Sequence, residues 1–210
     1  MRTRSFRVLL VIFDEIELLD AAALLAVLST AGRRWNFRPY RVEVAAPQAG
    51  LVTTRNQTRL EATVALGEVA PAEIVLVPGG YGARRFAQNA TSVAQLARAA
   101  AAAEVIAGVG AGVVALSRAG LVGNARIAAS KELSATLEGE LAPEQIELGT
   151  PIVDSGRLMT TASSGCALRL ALALVQRTMG PKLVSMINAD LGLEEQGDRI
   201  EVRHEPTPKG

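Results

Sequence analysis

Short runs of uninterrupted apolar residues alternate along this chain with longer stretches rich in Ala and Leu. Phe6 to Phe13 is one continuous apolar run, the pattern of a parallel strand covered on both faces. Asp20 then precedes Ala21-Ala22-Ala23-Leu24-Leu25-Ala26-Val27-Leu28, a strong helix former that ends near Gly32, with Asp20 placed to cap it. Further strands are predicted at Tyr40 to Ala46, Glu73 to Val77, Glu104 to Val109 and Arg126 to Ala129. Leu51 to Ala65 reads as short strands and turns with the look of a hairpin. Thr91 is placed to cap a helix through Ala103, and a helix over Ala111 to Ala119 stops at Gly120. Beyond a helix over Lys131 to Glu140, short strands fall at Ile146 to Leu148 and Pro151 to Val153. Asp154-Ser155-Gly156-Arg157 turns into a strand over Leu158 to Thr161, and helices cover Cys166 to Gln176 and Lys182 to Leu191. Strands alternating with helices predict an α/β fold with a mainly parallel central sheet. Residues 1–193 form the expected single domain, and 194–210, charged and containing Pro206 and Pro208, an expected polar C-terminal tail.

Composition narrows the functional classes. Apolar residues make up 49% of the chain but aromatics only 3%, so Ala, Val and Leu must fill the core. A net charge of +1 argues against a dedicated nucleic-acid binder, and Arg33, Arg34 and Arg38 read as a solvated helix end. The single cysteine, Cys166, excludes an intrachain disulfide and points to a reducing compartment. The apolar run at the N-terminus ends in Asp14-Glu15, and Arg169 interrupts the stretch Ala167 to Val175. No signal peptide and no membrane span are therefore expected, and the expected location is cytoplasmic.

Ligands of such sheets bind beyond the carboxyl ends of the strands. Three segments leave strand ends there: Asp14 to Asp20, Gly79 to Arg84, and Gly108 to Gly112. The last has the layout of a nucleophile elbow, a sharp strand-to-helix turn that presents a Ser or Cys above the sheet. Its apex, Gly110, carries no side chain, whereas covalent catalysis needs an activated thiol, hydroxyl, amine or carboxylate. A plain tight turn explains Gly110 without catalysis. Gly108, Gly110 and Gly112 also suggest a dinucleotide loop, with Glu132 at a tempting distance, but the third glycine position of that fingerprint falls on Val113. Other residues have a solvated or structural reading beside a chemical one. His204 lies in the polar tail. Cys166 begins a helix, where a lowered thiol pKa is conceivable, or simply packs as a small apolar residue. Arg84 and Arg85 follow a glycine turn and suit either an anionic ligand at a pocket mouth or solvent. With one His and one Cys, neither a zinc site nor a Ser/Cys-His triad is expected.

Four motifs in order resemble the ThiJ/PfpI superfamily, from about Arg7 to Leu191. Val11-Ile12-Phe13-Asp14-Glu15-Ile16-Glu17-Leu18-Leu19-Asp20 is similar to its opening "FDGFELLD", and Val75-Leu76-Val77-Pro78-Gly79-Gly80-Tyr81-Gly82 to its "LVVPGGxG". Val109 to Leu116 with Ala119-Gly120-Leu121-Val122-Gly123 resembles the elbow and helix "VCTGAxxLAxAGLLDG", and Asp154 to Ala162 the turn in "DDGRIITSAG". The resemblance implies a three-layer sandwich of the flavodoxin-like, class I glutamine amidotransferase-like type, and a homodimer with the elbow near the interface. It places the family cysteine on Gly110, the following small polar residue on Ala111 and a frequent histidine near Lys131. Asp20 lies beside the nucleophile in the isocyanide-hydratase-like branch, and the Gly79-Gly80 turn supplies backbone N–H groups to an oxyanion. The resulting degenerate catalytic set is Asp20, Gly110, Ala111 and Lys131. The candidate ligand-binding set is Asp20, Gly79, Gly80, Tyr81, Gly110 and Ala111, for a small molecule. No cofactor and no metal are implied. Two functions remain open: a degenerate module that binds ligands or partners, and an active hydrolase or lyase with unusual machinery.

Overall fold

The apolar runs become the centre of an eight-stranded sheet. The computed structural model describes residues 4–33, 38–193 and the backbone of 202–204. β1 (Phe6–Val11), β6 (Ile74–Val77) and β7 (Val105–Val109) are central strands with almost every residue buried. β2 (Tyr40–Ala46) and β5 (Val64–Ala65) extend the sheet on one side; β11 (Leu158–Thr161), β10 (Ile152–Ser155) and β12 (Val202–His204) extend it on the other. The order is β12-β10-β11-β7-β6-β1-β2-β5. Every pairing is parallel except β10 with β11, which the tight turn at Gly156-Arg157 makes antiparallel. Asp154 accepts the Gly156 N–H at 3.0 Å. This bond holds Asp154 and Ser155 inside the strand, so β10 outlasts the expected Val153 end.

Helices cover both faces. α1 (Leu18–Ala31), α6 (Ala167–Met179) and α7 (Pro181–Leu191) pack together on one, and α2 (Gly82–Gln88), α3 (Ala90–Ala99) and α4 (Gly112–Arg118) on the other. The result is the three-layer α/β architecture read from the sequence. A hairpin of β3 (Gly50–Thr53) and β4 (Arg59–Ala62) stands beside β2. A second small sheet, β8 (Ile127–Ala129) with β9 (Ile146–Leu148), carries α5 (Lys131–Leu137).

Several local readings need correction. Asp20 does not cap α1: the helix starts at Leu18 with Glu17 as N-cap, which puts Asp20 inside the first turn and fully buried. Asn89, not Thr91, caps α3, accepting the Ser92 N–H at 3.0 Å, and that helix ends at Ala99 rather than Ala103. The Gly82 to Gln88 stretch is a helix, not part of a glycine loop. Within the expected tail, Val202–His204 pairs in parallel with Ile152–Asp154, using the open hydrogen-bonding edge of β10. The rest of 194–210, the side chain of His204 and Arg34 lie outside the described residues.

Candidate functional site

The strand order reverses at β1: α1 links β1 to β2 on one face, and α2 and α3 link β6 to β7 on the other. At this edge, backbone bonds lace three loops together. Glu17 N–H donates to Gly79 O at 2.9 Å, Gly82 N–H to Glu15 O at 3.3 Å, Glu15 N–H to Thr53 O at 2.7 Å and Arg55 N–H to Ile16 O at 3.1 Å. Glu15 takes a left-handed conformation, φ 59°, to turn the first loop.

The elbow is a real strand-to-helix turn. β7 ends at Val109, Gly110 adopts φ 47° and α4 begins at Gly112. Gly110 N–H is held by Thr161 O at 2.9 Å, and Gly110 O accepts the Val113 N–H at 3.1 Å. Gly112 lets α4 sit against the end of β6, since a Cβ there would lie 2.5 Å from Pro78 O. Above Gly110 the situation is the opposite. A Cβ at that position would find Ser163 Cα at 3.8 Å and Ala162 O at 4.0 Å, ordinary contacts that leave room for a side chain.

That room is part of a cleft of about 210 Å³ lined by Gly80, Tyr81, Gly110 and Ala111, by Ser130, Leu133, Ala162, Ser163 and Ser164, and by four charged residues. The charges balance as two ion pairs, Arg55 with Glu17 at 3.8 Å and Arg84 with Glu132 at 3.3 Å. Arg84 also donates to Thr136 at 2.9 Å. The Arg55 guanidinium lies 4.2 Å from the centroid of the exposed Tyr81 ring, a cation–π arrangement. A rim of paired opposite charges over a floor of backbone and hydroxyl groups suits a small polar molecule without strong net charge.

Asp20 sits behind this floor rather than on it. Its Oδ2 accepts the Gly79 N–H at 2.8 Å, so that amide is committed within the protein. Its Oδ1 is buried without a hydrogen-bond partner. Burial pushes the Asp20 carboxyl up to about 6, against the lowering pull of the Gly79 bond and of the Ser164 hydroxyl, which reaches no hydrogen-bond geometry at Oδ1. Lys131 is exposed at the start of α5 and does not line the cleft, although its neighbours Ser130 and Glu132 do. Cys166 is half-buried at the N-cap of α6, with the Ser163 hydroxyl 3.9 Å from its sulfur.

The order of motifs, the elbow and the sheet topology point one way, and the family model for DJ-1/PfpI matches residues 6–177. The chain belongs to the DJ-1/PfpI family. Its fold is similar to that of a ThiJ/PfpI family protein from Pseudomonas syringae, with a TM-score of 0.82 at 17% identity, covering 91% of this chain and 76% of that one. It is also similar to Drosophila melanogaster DJ-1beta, TM-score 0.73 at 19% identity over 89% and 97% of the two chains. For oxidized Toxoplasma gondii DJ-1 the TM-score is 0.76 at 20% identity, over 90% and 100%. No curated protein matches the sequence significantly. At these identities the likeness carries the fold.

Of the DJ-1/PfpI-like site read from the sequence, Gly80, Tyr81, Gly110 and Ala111 line the cleft, while Asp20 and Gly79 form the layer beneath. Sequence reasoning missed Glu17, Arg55, Ser130, Ser163, Ser164 and Glu132 as lining residues. Arg55 arrives on the β3–β4 hairpin, which carries no catalytic motif of its own. Among the described residues no group of three or more His, Cys, Asp or Glu is placed to hold a metal ion, and no helix is long and apolar enough to cross a membrane.

Proposed function

We propose that this DJ-1/PfpI protein is a catalytically degenerate member whose cleft binds a small polar molecule or a partner without covalent chemistry. The observation that carries this reading is Gly110, an elbow apex with open space above it and no attacking group. An acyl-transfer site deprived of its nucleophile typically loses several powers of ten in rate, keeping only what binding and an oxyanion hole supply. The resemblance of the elbow motif, in which Gly110 stands where the family motif has its cysteine, supports this reading, and the retained Asp20 supports the isocyanide-hydratase-like branch.

A homodimer is part of the proposal. Leu18, Leu19, Ala22, Leu25 and Ala26 form a stripe along α1 that the rest of the chain leaves partly or fully exposed, Leu19 by 55%. This stripe begins next to Glu17 at the cleft, which supports an interface near the elbow. A cytoplasmic location is supported by the single cysteine and its reducing compartment.

The second reading, a hydrolase or lyase with unusual residues, rests on one observation: a buried carboxyl at Asp20, raised to about 6, beside the Ser164 hydroxyl. Initial rates with isocyanides, amides and glyoxals separate the two. The proposal expects no turnover above buffer. Turnover by the wild type would overturn it: turnover lost in Asp20→Ala would assign the chemistry to the second reading, and turnover that survives the Asp20→Ala, Cys166→Ala double variant would show that other groups suffice.

A further inference from the structure

The central sheet closes its two ends differently. At one end β12 lies along β10 from Ile152 to Asp154. At the other, β5 meets only Ala45 and Ala46 of β2, and Tyr40 to Val44 have no strand partner on the outer side. The hydrogen bonds fix which groups face outward. Pro39 O and Ala45 O accept from Phe6 and Ile12 on the β1 side, at 2.8 and 2.7 Å. Val44 O and Ala46 O accept from Thr63 and Leu66 on the outer side, at 3.0 and 2.7 Å. The N–H and C=O of one strand residue point the same way, and the direction alternates along the strand. Tyr40 and Val42 therefore face outward too, and neither has a backbone hydrogen bond on that side from any described residue.

This bare edge carries an unbalanced charge. Arg7 and Arg41 are register partners on β1 and β2, so they stand side by side on one face of the sheet. Both are exposed, and like charges directly opposite each other destabilise a strand pair. One carboxylate serves the two: Glu43 lies 3.7 Å from Arg7, and Arg41 makes no ion pair among the described residues. Glu73 is occupied by the Arg7 backbone N–H at 2.7 Å. The two arginines, Glu43 and Val42 line a groove of about 300 Å³ with Val8 and Ala72. A charged edge of this kind rejects apolar strands and admits one whose charge complements it.

We propose that the open edge of β2 docks an extended segment of a partner protein as an added strand, with one acidic residue of that segment opposite Arg41. Backbone hydrogen bonds to Val42 hold the strand, and the acidic side chain offsets the repulsion between Arg7 and Arg41. The residue opposite Glu43 is uncharged or basic, because a second acid there would face a carboxylate. Side chains on the other face of the added strand lie beside Val42 and Val44, both half-buried.

The test is a titration of the full chain, followed by amide NMR shifts and hydrogen exchange, with three blocked peptides. One has the sequence Thr-Val-Glu-Val-Thr, one has Lys in place of Glu, and one is the Glu peptide with both valines N-methylated. The expected result is saturable movement and slower exchange of the Val42 amide with the Glu peptide, which binds about fivefold tighter than the Lys peptide. The N-methylated peptide, stripped of its central donors, does not bind. Arg41→Gln, a change to an exposed side chain, narrows the Glu-to-Lys ratio at unchanged Tm. Equal binding of the Glu and Lys peptides, a ratio unchanged in Arg41→Gln, binding of the N-methylated peptide or no movement at Val42 with any peptide would overturn the assignment. Val42 shifts that grow with protein concentration alone would overturn it in favour of a second copy of this chain.

Discussion

Replacing Asp20 by Asn removes a charge from the most buried ionisable position at the site while keeping an oxygen for the Gly79 N–H. In the folded chain burial lifts this carboxyl from an ordinary 3.8 to about 6. Native Asp20 therefore holds its proton over a range in which the unfolded chain has lost it. Its contribution to stability is fully present below about pH 4 and is lost as pH rises through 6. At about 1.4 kcal/mol per pH unit, keeping the group ionised at neutral pH costs about 3 kcal/mol. Asn avoids that cost but turns an amide N–H toward the place where Oδ1 has no partner, a penalty of about 1–2 kcal/mol. The net expectation at pH 7 is a gain of about 1–2 kcal/mol, or roughly 2–8 °C in Tm for a chain of this size. Asp20→Ala, which also strands the buried Gly79 N–H, should fall about 2 kcal/mol below Asp20→Asn. Urea denaturation of the three proteins from pH 4 to pH 8 reads all of this: the wild-type curve declines across pH 4–6 relative to Asp20→Asn and then runs parallel to it. An Asn variant less stable than wild type at pH 7, or two parallel curves throughout, would refute the reasoning and make the carboxylate a net stabiliser.

Gly110→Cys should fold, losing about 1–2 kcal/mol for the left-handed backbone at φ 47° because its Cβ meets only ordinary contacts; in a Cys166→Ala background, iodoacetamide should label it faster than an unstructured thiol, as an intact elbow requires. Gly112→Ala should cost about 3 kcal/mol, since its Cβ would overlap the Val77 and Pro78 carbonyl groups, whereas Gly120→Ala, with nothing within 4 Å, should cost only about 1 kcal/mol for its positive φ; thermal denaturation ranks the two. Leu19→Glu should shift sedimentation from dimer to monomer at micromolar concentration without lowering secondary structure, and an unchanged sedimentation coefficient would remove α1 from the interface.

The pleated core was legible because parallel strands covered on both faces leave uninterrupted apolar runs, as in Val8 to Val11 and Ile74 to Val77. β2 was read to the residue, bounded by a proline at Pro39 and another at Pro47. Helix starts were read less well because capping side chains compete locally. Glu17 and Asp20 both suit the start of α1, and only the buried contact with Gly79, which joins residues far apart in the chain, assigns Asp20 elsewhere. α2 was hidden behind its own glycine, although Ala83 and Phe86 recur at helical spacing and are its buried side. The elbow and the glycine turns announced themselves through backbone demands that few residues meet. Of the charged rim only Arg84, after its glycine turn, was suggested by the sequence; Arg55, Glu17 and Glu132 come from three other segments, and the two ion pairs form only after folding.

The central claim, a cleft that binds without a nucleophile, is tested most directly by intact-mass spectrometry after exposure of wild-type protein to an electrophilic β-lactone, with Gly110→Cys alongside. The account predicts a stoichiometric adduct on the variant and none on wild type beyond slow modification of Cys166. A rapid wild-type adduct mapping to Ser163, Ser164 or Lys131 would contradict it.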